Sequence, residues 1–132
     1  MSTILFVEEE HAPRAVFGDF LGNEGFTVLK AADMAEALDA CDSYRGQVDL
    51  LISDTPAGTR LASRLAARYP RMSLLFIGDS EKTMSAHEPP PGHKSGCLHK
   101  PFTAQMLLKS VLGLIDSGMV ASKEPCAIAR GR

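Results

Sequence analysis

Little in this chain points to export, a membrane or nucleic acid. Met1 is followed by Ser2, Thr3 and only a short apolar run, without the basic region and hydrophobic stretch of a signal peptide. No segment approaches the roughly 18 consecutive apolar residues of a membrane span. Fourteen Lys and Arg stand against sixteen Asp and Glu, a net charge of -2, so no overall basic field favours DNA, RNA or an anionic bilayer. Cys41, Cys97 and Cys126 are odd in number and lack any CxxC spacing, which suggests neither a disulfide framework nor a zinc site; ordinary reduced thiols are expected. His11, His87, His93 and His99 fall in or near predicted turns, with no pair at metal-ligand spacing. From these absences a cytoplasmic protein that binds neither nucleic acid nor membrane is expected.

What is present is enough apolar side chain for one core: 45% of 132 residues. "TILFV" (3–7), "FTVLKAA" (26–32), "VDLLIS" (48–53), "SLLFIG" (73–78) and "CLH" (97–99) read as strands, each short and apolar. Between them the helical period appears. Ala12, Ala15, Val16, Phe20 and Leu21 form one stripe that "GNEG" ends, and Asp33 caps a second helix built on Met34, Ala37, Leu38 and Cys41. Leu61, Ala62, Leu65 and Ala66 line a third helix that Pro70 stops; Thr103 opens a last one around Met106, Leu107, Val111, Leu114 and Ile115. Between strands four and five the run Pro89-Pro90-Pro91 forbids helical continuation, so any helix there is short or irregular. Residues 1–117 are expected to form one folded domain and 118–132, which lack periodicity, a flexible tail.

Strands alternating with helices predict a doubly wound parallel sheet covered on both faces, because parallel neighbours need crossovers and helices supply them. Sites in such folds collect at the carboxyl ends of the strands. Glu8, Glu9 and Glu10 end strand one, Asp54 ends strand three, Gly78 and Asp79 end strand four, and Lys100 ends strand five. Asp54 alone reads equally well as a helix cap before Pro56. Set on one rim with other carboxylates and a lysine, it gains a chemistry. Crowded carboxylates call for a raised pKa or a hard cation such as Mg²⁺, and an ammonium opposite them suits a phosphoryl oxygen. Such a constellation lets an aspartate accept a phosphoryl group as a covalent nucleophile.

In "ILFVEEE", "VDLLISD" and "LHKPF" the chain resembles the receiver domains of two-component response regulators, over about residues 3 to 116. The resemblance implies a flavodoxin-like five-stranded sheet in the order 2-1-3-4-5. It implies Asp54 as phosphoacceptor, with Lys100 paired to it or to its phosphoryl group. Glu8, Glu9, Asp54 and the backbone carbonyl of Pro56 would hold Mg²⁺, and the Lys100-Pro101 bond would be cis. The chain would receive its phosphoryl group from a histidine kinase or histidine phosphotransfer protein, with self-catalysed transfer and autodephosphorylation its only enzymatic acts, and signal by contact with an output partner.

Three departures accompany the resemblance. The acidic pair is Glu8 and Glu9 where aspartate is usual, setting each carboxylate one methylene farther out. Gly78, or with a one-residue slip Ile77, stands where the family carries a Ser or Thr hydroxyl, and Thr55 and Ser80 are close enough in sequence to be weighed as substitutes. Cys97, three residues before the lysine, replaces an aromatic. A second reading is therefore a pseudo-receiver, an interaction module that works without phosphorylation. A flavin carrier of similar topology is disfavoured, since three glutamates after strand one repel a phosphate.

Overall fold

A computed structural model describes residues 2–54, 57–79 and 90–115, and the structural statements below concern those residues. The expected tail, the domain boundary at residue 117, and most of the segment between strands four and five lie outside them. The elements run β1 (Thr3–Val7), α1 (His11–Asn23), β2 (Thr27–Ala31), α2 (Met34–Ser43), β3 (Leu50–Asp54), α3 (Ala57–Leu65), β4 (Ser73–Gly78), β5 (Ser95–His99) and α4 (Ala104–Ile115). The strands form one sheet in the order β2-β1-β3-β4-β5, every pair parallel, as expected.

The strand sequences explain why both faces are covered. A sheet sandwiched between helices needs apolar side chains at successive positions, and all five residues of β1 and all six of β4 are buried. Alternation divides them into two cores. Leu5, Val7, Leu51, Leu74 and Phe76 meet α2 and α3 through Ala37, Cys41, Leu61, Ala62 and Leu65. On the other face Ile4, Phe6, Leu50, Ile52, Leu75 and Ile77 meet α1 and α4 through Leu21, Leu107, Val111 and Leu114. Full burial of one such Leu or Ile contributes roughly 1.5–3 kcal/mol.

Local chemistry sets the helix ends. The Asp33 carboxylate accepts from Glu36 N–H at 2.9 Å while Glu36 Oε1 accepts from Ala32 N–H at 2.8 Å, a reciprocal capping arrangement. Thr103 Oγ1 accepts from Met106 N–H at 3.1 Å and opens α4. After α1 the chain turns at Gly25, whose φ of 106° is one that side chains resist. On the β2 edge, the stem of Lys30 lies over Gly18, and its ammonium meets Asp19 at 2.8 Å.

Cys41 keeps a free, buried thiol, as expected. Cys97 does not. It is disulfide-bonded. An odd cysteine count allows one pair and one spare, and linear spacing says nothing about residues that the fold brings together.

Near the rim, Gly58 in α3 lies tightly against the sheet. A Cβ there would lie 3.2 Å from Ser53 Cβ and Oγ and 3.3 Å from the Phe76 ring, with Ser53 directly preceding Asp54. Gly58→Val should destabilise the domain by about 1–3 kcal/mol through overpacking, read as a lower urea midpoint at unchanged slope.

Candidate functional site

Because every strand is parallel, all five carboxyl ends reach the same rim. Register places Val7 beside Ser53, Asp54 beside Ile77, and Gly78 beside His99. Two backbone bonds extend the pairing past the strand ends: Glu8 N–H donates to Ala31 O at 2.9 Å, and Lys100 N–H donates to Gly78 O at 2.8 Å. The acidic segment is thereby tied to β2, and the lysine to the end of β4.

Asp54 is half-buried at the end of a strand whose other residues are buried. Burial pushes its carboxyl pKa above the usual range, the Lys100 ammonium and its own backbone N–H pull it back, and the negative charges of Glu9 and Asp79 add to the rise. Asp54, Lys100 and Glu9 are thus brought into one electrostatic group. Asp79 joins it; sequence reasoning placed Asp79 on the rim without giving it a role.

Glu8 behaves differently. It is only 8% exposed, and its Oε2 accepts from Glu10 N–H at 3.0 Å, so the carboxylate folds back on its own turn. Arg14 Nη1 clamps that turn through the carbonyls of Glu8, at 2.8 Å, and Glu9, at 3.2 Å. Next to the lysine, the His99 ring donates through Nδ1 to Lys100 O at 2.6 Å, and the Lys100-Pro101 bond is cis. Pro56, the expected carbonyl ligand, lies outside the described residues.

Among the described residues no three His, Cys, Asp or Glu side chains stand together as a metal-holding group. The donor chemistry nonetheless fits Mg²⁺. Asp54 and Glu9 are hard oxygen donors close enough for the Glu9 charge to act on Asp54, and Mg²⁺ commonly takes few protein ligands and keeps several waters.

A family model for the response regulator receiver domain matches residues 4–112. The chain belongs to that family. Among curated proteins it is 30% identical over 119 residues to the sensor kinase CckA of Brucella abortus (strain 2308), covering 87% of this chain and 13% of the kinase. Among solved structures it resembles the receiver domain from hybrid histidine kinase CckA, with TM-score 0.69 and 31% identity over 86% of this chain and 99% of that one. The Vibrio cholerae chemotaxis protein CheY4 superposes with TM-score 0.75 at 25% identity, over 86% of this chain and 98% of that one. As a receiver domain of two-component signalling, this chain departs from its family at two adjacent places. Gly78 puts no side chain on the rim beside His99. Where Cys97 lacks an aromatic ring, the neighbouring position in β4 is Phe76, 1% exposed, so an aromatic ring lies one strand inward.

The raised pKa of Asp54 carries a sign. A carboxyl that holds its proton more tightly in the folded state loses stability as pH rises through its folded pKa, so ionised Asp54 destabilises the domain at neutral pH. With its partial exposure discounted, Asp54→Asn should raise Tm at neutral pH by about 2–4 °C. The gain should vanish at about pH 3, where Asp is protonated folded or unfolded, in thermal melts at both pH values.

Proposed function

We propose that this receiver domain is a phosphoacceptor, taking a phosphoryl group on Asp54 from a phosphohistidine of a cytoplasmic histidine kinase or histidine phosphotransfer protein. The observation that carries the reading is a half-buried carboxylate at the end of β3 within the electrostatic reach of the Lys100 ammonium. A carboxylate oxygen of Asp54 attacks phosphorus, the phosphorus–nitrogen bond breaks, and the imidazole leaves with the electron pair. Lys100 neutralises charge on the phosphoryl oxygens, and the backbone bond from its own N–H to Gly78 O fixes where its side chain begins.

Glu9 and Asp54, with the Pro56 carbonyl and Glu8 beside them, would hold Mg²⁺, which when bound supplies positive charge against the phosphoryl group and the crowded carboxylates. The added methylene of each glutamate, and the engagement of Glu8 with Glu10 N–H, support a weak site. Output then passes by protein contact. The observation that favours a pseudo-receiver is the pairing of Gly78 with His99 and Cys97 with Phe76, which leaves the family's hydroxyl and aromatic positions unfilled.

Incubation with a small-molecule phosphodonor and Mg²⁺, resolved on a phosphate-affinity gel, separates the two. The phosphoacceptor reading expects a shifted band that Asp54→Ala abolishes and that Lys100→Ala slows at least about tenfold, a loss near 1.4 kcal/mol. No shift in the unmodified protein supports the pseudo-receiver. In Mg²⁺ titrations Glu9→Gln should weaken binding about tenfold; equal affinity excludes Glu9 as a ligand.

A further inference from the structure

The small net charge conceals a sharp segregation. From residue 31 to residue 44 the chain carries Asp33, Glu36, Asp39 and Asp42 and no Lys or Arg; from residue 55 to residue 78 it carries Arg60, Arg64, Arg68 and Arg71 and no Asp or Glu. All eight side chains are exposed. The acids belong to α2 and its cap, the arginines to α3 and the turn after it, and both helices cover the same face of the sheet. One face of the molecule is therefore half acidic and half basic.

Within the chain few of these charges meet an opposite charge, although Asp33 and Glu36 cap the start of α2. Arg68 Nη1 meets Asp42 Oδ1 at 2.8 Å, and Arg68 Nη2 donates to Cys41 O at 2.9 Å, tying the helices at one point. Among the described residues no other ion pair joins them, and Arg60, Arg64, Arg71 and Asp39 have none. Each helix instead repels itself, since Arg60 and Arg64 are four apart and Asp33, Glu36, Asp39 and Asp42 are spaced by three. A solvated helix avoids that cost by alternating signs. Arg60, Arg64, Arg71 and Asp39, without ion pairs among the described residues, are left for opposite charge from outside.

We propose that the α2–α3 face is a self-complementary docking surface for a second copy of this chain. A two-fold axis running parallel to the two helices and between them sets α2 of each copy over α3 of the other, so the acidic and basic halves meet twice and the assembly closes as a dimer. Exposed Ala35, Ser63 and Ala67 are small enough to let the helices approach. Charge complementarity of this kind gives specificity and salt dependence rather than high affinity, so the dimer forms in the micromolar to millimolar range. The inference does not depend on phosphorylation of Asp54.

Sedimentation equilibrium of the full chain tests it. The expected result is a monomer–dimer equilibrium at ~0.01 M ionic strength, where the Debye length is ~30 Å, with Kd rising at least about tenfold by ~0.1 M. Arg60→Glu with Arg64→Glu, and separately Ala35→Lys with Asp39→Lys, should each be monomeric, and an equimolar mixture of the two variants should dimerise. These positions lack internal ion pairs, and far-UV circular dichroism confirms that the variants are folded. A monomeric unmodified protein at low salt and millimolar concentration overturns the proposal and leaves the face to a different partner. A dimer insensitive to salt, or one that persists in both separate variants, also overturns it.

Discussion

Strand β3 is hydrogen-bonded along both edges, by β1 and β4, and its apolar side chains are buried on both faces, so its last residue has nowhere to go. Asp54 is that residue. Its carboxylate loses part of its hydration because the strand beneath it must be buried for the sheet to exist, and that loss raises its pKa. The remaining site residues are placed against this fixed point. Glu9 follows β1, Asp79 follows β4 and Lys100 follows β5, each delivered to the rim by parallel pairing.

Much of this architecture was legible because a doubly covered parallel sheet demands apolar strands at regular intervals, and β1 and β4 have the bounds their sequences predict. Differences arise where a side chain or a proline competes with the backbone. β3 was expected from residue 48 but starts at Leu50, because the Asp49 carboxylate takes the Thr3 N–H at 2.8 Å that a ladder partner would otherwise accept. α3 was expected through residue 69 and ends at Leu65, with a turn before Pro70, which disfavours helical backbone in the residue before it. β5 is longer than expected, starting at Ser95. Ser95 and Gly96 carry no strand signal, yet Gly96 pairs with Leu75 and lies beneath Leu114, where small size is what the packing rewards.

The site was legible in position and less so in direction. Strand ends tell which residues share the rim, and the charges of Lys100 and Glu9 act on Asp54 there. Nothing in "EEE" distinguishes a carboxylate facing Asp54 from one turned onto a backbone N–H, as Glu8 is onto Glu10. Charge segregation is hidden in the sequence totals for a related reason. A net charge of -2 sums over the whole chain, whereas partners meet one face at a time.

The departures at Gly78 and Cys97 bear on how such a site can report its state. A hydroxyl at the end of β4 and a ring in β5 would link the rim to the face beyond by movement of side chains. Here the rim position of β4 has no side chain, and the aromatic ring next to β5 is Phe76, packed in the core against the α3 approach at Gly58. A fully buried ring in a close-packed core has little room to change rotamer. Among the described residues, the charged groups that act on Asp54 are Glu9, Asp79 and Lys100. Under the phosphoacceptor reading, added negative charge at Asp54 would act first on them, and the ends of β4 and β5 that carry Asp79 and Lys100 are joined directly through Lys100 N–H and Gly78 O. Under that reading, coupling would run through redistribution of charge along one rim, which needs no hydroxyl and no rotating ring.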